Sequence, residues 1–147
     1  MTDNHRVYLA LGSNLGDKEA HLTEAIENIG RRIGDVVRQS AFYYSAPWGF
    51  ESENDFVNAV VECHTSLSPR RLLRATQAIE RRMGRVEKSS GGVYHDRIID
   101  IDILLYDDLH IDYPDLKIPH PLMHERDFVM VPLREILDVE EPEKSDD

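Results

Sequence analysis

The chain has 147 residues, 41% of them hydrophobic and 31% charged, with a single cysteine and a formal net charge of -11. This length suits one compact domain with its own core, and the acidic balance argues against a general binder of nucleic acid or anionic membrane. No apolar run approaches the roughly 20 residues needed to span a bilayer, and the lone Cys63 excludes an intramolecular disulfide, which points to a reducing cytoplasm.

The opening MTDNHRVYLAL lacks the basic-then-apolar layout of a secretory leader, so none is expected. Residues 6–11 form a short apolar strand that runs into GSNLGD (12–17) and then a helix, with Leu22, Ala25, Ile26, Ile29 and Ile33 on one stripe. The two-glycine turn has neither the Lys-Ser/Thr ending of a phosphate loop nor a three-glycine dinucleotide fingerprint. A tight turn is expected there, with Ser13, Asn14 or Asp17 capping the helix.

Gly34 ends the helix, and VVRQSAFYYS (36–45) reads as a second strand. APWGFESEN (46–54) is a loop by its Pro, Gly and polar content, and it carries Pro47, Trp48 and Phe50. Its aromatic residues either tuck onto the core or close over a ligand. DFVNAVVECHT (55–65) is the third strand. Phe56, Asn58 and Val60 share one face, while Val57, Ala59, Val61 and Cys63 share the other, where the cysteine is a small buried hydrophobe. An Asn inside a strand is disfavoured; its amide suits either a structural hydrogen bond or the edge of a heterocycle stacked on Phe56.

Ser68 and Pro69 open a second helix, closed by Gly84, that buries Leu72, Ala75, Thr76, Ile79 and Met83. Gln77 and Glu80 lie one turn apart beside that stripe, as an exposed pair or as the lining of a nucleotide site. RVEKSSGGVYHD (85–96) is a long polar connection in the position of a mobile flap. Its Lys88 and His95, with the adjoining Arg97, could reach phosphates; otherwise it is a plain surface loop.

RIIDIDILLY (97–106) reads as a strand covered on both faces that nonetheless carries two carboxylates. Asp100 and Asp102 point to one face with Cα atoms roughly 6.6 Å apart. Like charges held so close call for a cation between them. Oxygen ligands with open positions for water and phosphate suit Mg²⁺ in phosphoryl transfer. A turn at Asp107-Asp108 and a minor hairpin follow. IPHPLMHERDF (118–128) then supplies His120, Arg126 and Phe128. A last short helix is expected from Val131-Pro132-Leu133 to near Leu137. Residues 138–147 hold six acids and one lysine, and are expected to be a solvated, disordered tail to a single domain of residues 1–137. Arg85, Lys88, Arg97 and Arg126, with two histidines among them, gather cations in an otherwise acidic chain.

The order strand, helix, strand, strand, helix, strand is the split βαβ pattern of a ferredoxin-like fold. An α+β sandwich is expected, with helices on one sheet face and an appended C-terminal hairpin and short helix. The residues by themselves reach a metal-dependent enzyme acting on a nucleotide phosphate. A nucleotidyltransferase, a non-catalytic ligand-binding module and a metal-stabilised structural domain stay open.

Five ordered blocks, ALGSNLGD (10–17), SAPWGFESENDFVNAVVE (45–62), QAIERRMGRV (77–86), DRIIDIDILLYDD (96–108) and IPHPLMHERDFVMVPLREI (118–136), are similar to the 6-hydroxymethyl-7,8-dihydropterin pyrophosphokinases of folate biosynthesis. The resemblance implies transfer of diphosphate from ATP to the pterin hydroxymethyl group with release of AMP, two Mg²⁺ ions, and a cytoplasmic monomer that binds neither nucleic acid nor membrane. It implies that Asp100 and Asp102 ligate metal and act in catalysis with Arg85 and Arg97. Phe56 and Phe128 would sandwich the pterin, Asn58 would read its edge, and Pro47, Trp48 and Asp100 would line the same pocket. ATP would meet Gln77, Glu80, Arg85, Lys88, Arg97, His120 and Arg126. Residues 46–54 and 85–97 match the family's mobile loops. This chain departs from the family where Val93-Tyr94-His95-Asp96-Arg97 replaces a common Trp-Gly-Pro-Arg run, keeping only the arginine. Glu87 also stands at a position that is basic in a relative.

Overall fold

Alternation along the longest strands assigns two separate cores to the two faces of one sheet. The computed structural model describes residues 4–46, 54–84 and 98–138. In chain order they form β1 (His5–Ser13), α1 (Lys18–Arg32), β2 (Gly34–Gln39), β3 (Tyr43–Ser45), β4 (Phe56–Thr65), α2 (Pro69–Arg82), β5 (Asp100–Tyr106), β6 (Ile111–Tyr113), β7 (Leu116–Ile118), a 3₁₀ turn (Met123–Glu125) and α3 (Asp127–Asp138). The main sheet runs β2-β4-β1-β5, with β3 also paired to β4, while β6 and β7 make the small appended hairpin.

Every neighbouring pair in the main sheet is antiparallel. Strands β1 and β2 are therefore parallel with β4 between them, and β4 and β5 are parallel with β1 between them. Each parallel pair is joined by a helix, α1 or α2, which is the expected ferredoxin-like arrangement. Local chemistry sets the helix starts. The Asp17 carboxylate accepts from the Ala20 N–H at 3.3 Å, and the Ser68 hydroxyl accepts from the Arg71 N–H at 3.3 Å with Pro69 in the first turn.

Val7, Leu9, Leu11, Val57, Ala59, Val61, Cys63, Ile99, Ile101 and Ile103 face α1 and α2, whose Leu22, Ala25, Ile29, Leu72 and Ile79 complete the larger core. Burial pushes the Cys63 thiol up to about 12, with Asp35 adding to the shift, as befits a packing residue. The opposite face carries Tyr8, Val60 and Leu104, covered by Met123 and by Val129, Leu133 and Ile136 of α3. The expectation of helices on one sheet face is thus corrected. A sheet with apolar residues on both faces needs a second cover, and α3 provides it.

Two further boundaries differ from the sequence reading. The stretch 36–45 is two strands, because the Ser40 hydroxyl accepts from the Val60 N–H at 3.0 Å and donates to the Ala41 carbonyl at 2.8 Å, while the Ala41 N–H turns to Glu135 at 3.0 Å. The last helix begins at Asp127 rather than Val131. Its first full turn closes by Met130 N–H to Arg126 carbonyl at 2.9 Å, and Pro132 lies inside it. A proline signals a helix start only when no earlier turn has formed.

Gly34 begins β2 hard against β4, where a Cβ would lie 1.9 Å from the His64 carbonyl oxygen. Gly34→Ala is expected to destabilise the fold by about 3 kcal/mol, read as a lowered thermal midpoint, because backbone rather than a flexible side chain would have to move. An unchanged midpoint would contradict this packing.

Candidate active site

The central strand β1 brings one residue from each of four strands into a row. Gly12 is opposite Asn58 on one side and Asp100 on the other, and Tyr43 pairs with Asn58 beyond. Register partners in an antiparallel sheet share a face, so Asn58 and Asp100 flank a backbone that has no side chain. At about 4.8 Å between strands, their Cα atoms stand roughly 10 Å apart. A Cβ at Gly12 would come 3.1 Å from Asn58 Oδ1 and 3.5 Å from the Phe56 ring, so glycine keeps open a slot floored by backbone and walled by Phe56. Asp102 opposes Ala10 on the same face, next along β5.

Asn58 is buried, and its Nδ2 donates to the Tyr43 carbonyl at 3.1 Å and to Ser45 Oγ at 2.9 Å. A carbonyl only accepts, so the amide nitrogen must face β3, leaving Oδ1 over Gly12. The start of β4, just before Phe56, is laced to the β1–α1 turn. Buried Asn14 donates to the Asn54 carbonyl at 3.3 Å, and Lys18 donates to the Asp55 carbonyl at 3.0 Å.

The segment after the hairpin reaches back to β5. His120 N–H donates to the Leu104 carbonyl at 3.1 Å, and its Nδ1 accepts from Leu122 N–H at 3.2 Å. In the neutral ring the proton therefore sits on Nε2, which lies 4.0 Å from Asp102 Oδ2. Arg126 is buried with its guanidinium 5.6 Å from the centre of the Phe128 ring, and Phe128 packs beside the α3 core on this same sheet face. Below the strand, buried Glu80 accepts from the Ile101 N–H at 2.7 Å. Glu80 is thus no exposed partner of Gln77, which is half-buried one turn away.

The sequence model for 7,8-dihydro-6-hydroxymethylpterin-pyrophosphokinase (HPPK) matches residues 8–138. Relatives named 2-amino-4-hydroxy-6-hydroxymethyldihydropteridine pyrophosphokinase include one from Porphyromonas gingivalis, 52% identical over 88% of this chain and 89% of that one. Another, from Bacillus subtilis, is 41% identical over 90% of this chain and 78% of its own length. This chain belongs to the HPPK family. A solved structure described as HPPK-DHPS in complex with substrates shares the fold at a TM-score of 0.73 and 13% identity, covering 92% of this chain but only 40% of that longer one.

Membership makes the chain a pyrophosphokinase of folate biosynthesis with ATP as co-substrate. The HPPK residues expected from sequence divide by location. Phe56, Asn58, Asp100, Asp102, His120, Arg126 and Phe128 share one sheet face, toward the end beyond the α3 core, and Gln77 and Glu80 lie on α2. Pro47, Trp48, Arg85, Lys88 and Arg97 lie outside the described residues, as do the greater parts of both loops and the acidic tail after Asp138. Gly12, Tyr43, Ser45 and Asn14 were missed as site residues. Only Gly12 had a visible signal, a glycine ending an apolar strand, and its meaning depends on what lies opposite. Among the described residues no helix is long and apolar enough to cross a membrane.

Gly12→Ala tests the slot. It is expected to weaken pterin binding about tenfold, equivalent to about 1.4 kcal/mol, in a fluorescence titration while ATP binding holds. Equal loss for both ligands would count against a slot at Gly12.

Proposed function

We propose that this chain transfers diphosphate from ATP to the hydroxymethyl oxygen of 6-hydroxymethyl-7,8-dihydropterin, releasing AMP, as a cytoplasmic monomer using two Mg²⁺ ions. One observation carries the reading: the Asn58 acceptor, the bare Gly12 backbone and the Asp100 carboxylate follow one another in a single row across β4, β1 and β5. A flat heterocycle over Gly12, between Phe56 and Phe128, would offer ring N–H donors to Asn58 Oδ1 and extend its hydroxymethyl group toward Asp100. Arg126 behind Phe128 restrains that aromatic wall.

The donor set fits Mg²⁺. Asp100 and Asp102 are oxygen ligands on one face, both only partly buried, and among the described residues no closed group of three or more His, Cys, Asp and Glu competes with them. Mg²⁺ would supply charge neutralisation for the β-phosphoryl group. Asp100 and Asp102 would hold it at the acceptor end of the slot. Gln77, Arg85, Lys88, Arg97, His120 and Arg126 are read as the ATP side on the strength of the family resemblance, and the His120 ring lies beside Asp102, with Nε2 4.0 Å from Oδ2. In the reaction the hydroxymethyl oxygen forms a bond to the β-phosphorus and loses its proton, while the bond to the oxygen bridging α and β breaks and AMP departs. Equal amounts of pterin diphosphate and AMP in a product analysis are the expected result; AMP joined to the acceptor would overturn the reading.

Asp100→Asn and Asp102→Asn should each lower kcat by on the order of 100-fold or more. The metal-free variants should melt at or above the parent, since one of two neighbouring like charges is gone, yet lose stabilisation by Mg²⁺-ATP. A variant with parental, Mg²⁺-dependent AMP release would remove the metal assignment. Phe56→Ala and Phe128→Ala should each cost the pterin about 0.5–1.5 kcal/mol beyond area lost, with ATP affinity little changed, in paired titrations of the two ligands.

A further inference from the structure

Among the described residues strand β5 is the outer strand of the main sheet, so its backbone groups face toward β1 and away from it in turn. The Ile101 N–H, between the two aspartates, points outward and meets Glu80 Oε2 at 2.7 Å. The amides of Asp100 and Asp102 consequently face β1, where these residues oppose Gly12 and Ala10. Three consecutive backbone units are held, two by the sheet and the middle one by a carboxylate from α2. Glu80 and Ile101 are each 2% exposed. The bond is thus made away from water, where loss of the acceptor would leave a buried amide unsatisfied.

We propose that Glu80 is a positioning residue: by holding the Ile101 amide it sets the pleat of β5 that aims the Asp100 and Asp102 carboxylates at one point. This rests on the reading of the two aspartates as Mg²⁺ ligands. It gives Glu80 a duty to the strand that is distinct from the ATP contact implied by family resemblance. What the site requires of Glu80 is an acceptor at the right reach, more than a negative charge. Substitution should therefore act on metal dependence and on the strand before it acts on nucleotide affinity.

Two variants separate reach from charge. Glu80→Gln keeps the length and an acceptor oxygen without the charge, whereas Glu80→Asp keeps the charge and withdraws it by one methylene. Three quantities are measured on the full chain: hydrogen exchange of the Ile101 amide without metal, the Mg²⁺ concentration giving half-maximal turnover, and ATP affinity without Mg²⁺. In Glu80→Asp, Ile101 exchange should quicken about tenfold and the Mg²⁺ midpoint should rise about tenfold, with metal-free ATP affinity within about twofold of the parent. In Glu80→Gln the exchange and the midpoint should both stay within about twofold. A Gln variant that loses as much as the Asp variant overturns the proposal, as does an Asp variant whose Ile101 exchange is parental. A matching fall in metal-free ATP affinity would make Glu80 a nucleotide contact and also overturn it. Asp100→Asn measured alongside separates the two readings. If its Mg²⁺ midpoint is unmoved, the metal assignment fails and this proposal with it. If its midpoint moves while that of Glu80→Asp does not, the positioning proposal alone fails.

Discussion

The pairing of β1 with a neighbour on each edge is the constraint on which the site depends. Because β1 opposes β4 from His5 through Ser13, and β5 from Val7 through Gly12, the row Asn58, Gly12, Asp100 is set once the registers are set. A slip of one residue in either pair would turn that strand's site residues to the opposite face, among Leu22, Ile29 and Ile79. The large core therefore secures the site indirectly. Val7, Leu9 and Leu11 can be buried there only in the register that also turns Ala10 and Gly12 to the opposite face.

A bulge adjusts the end of this pairing. Leu9 opposes Ile103 while Tyr8 opposes Leu105, so Leu104 is the extra residue. It allows Leu104 and Leu105 to pack with the α3 cluster while Tyr106 remains in the larger core, where its hydroxyl donates to the Leu67 carbonyl at 2.6 Å. The same face is thus apolar under α3 and polar beyond it. The transition falls between Val60 and Asn58 on β4, and between Ala10 and Gly12 on β1.

Two buried glutamates show different solutions to one problem. Glu62, toward the far end of the sheet, is 2% exposed and lies 3.2 Å from Arg6, 3.2 Å from Arg38 and 3.3 Å from His64. Its charge is met by the partly solvated Arg6 and Arg38 guanidiniums, an arrangement suited to fastening β1, β2 and β4. Glu80 meets a backbone amide beneath the aspartate strand. Charge at the Glu62 end of the sheet serves cohesion.

Periodicity and turn chemistry were enough to read the element order from the amino acids: the stripes of α1 and α2, their caps at Asp17 and Ser68, the two faces of β4 and the paired aspartates of β5 all follow from local rules. Five ordered motif blocks likewise carried the family. Other features depend on what lies opposite in space, which no local pattern encodes. The division of residues 36–45 turned on where Ser40 met Val60, and the placement of α3 turned on the apolar residues left uncovered around Tyr8. Glu80 could be read only as half of a surface pair or as nucleotide lining, because helical spacing reports neighbours along α2 and says nothing of β5 beside it. Gly12 is one glycine among eight in the sequence; only the antiparallel register set it between Asn58 and Asp100, where the absence of a side chain leaves a slot beside Phe56.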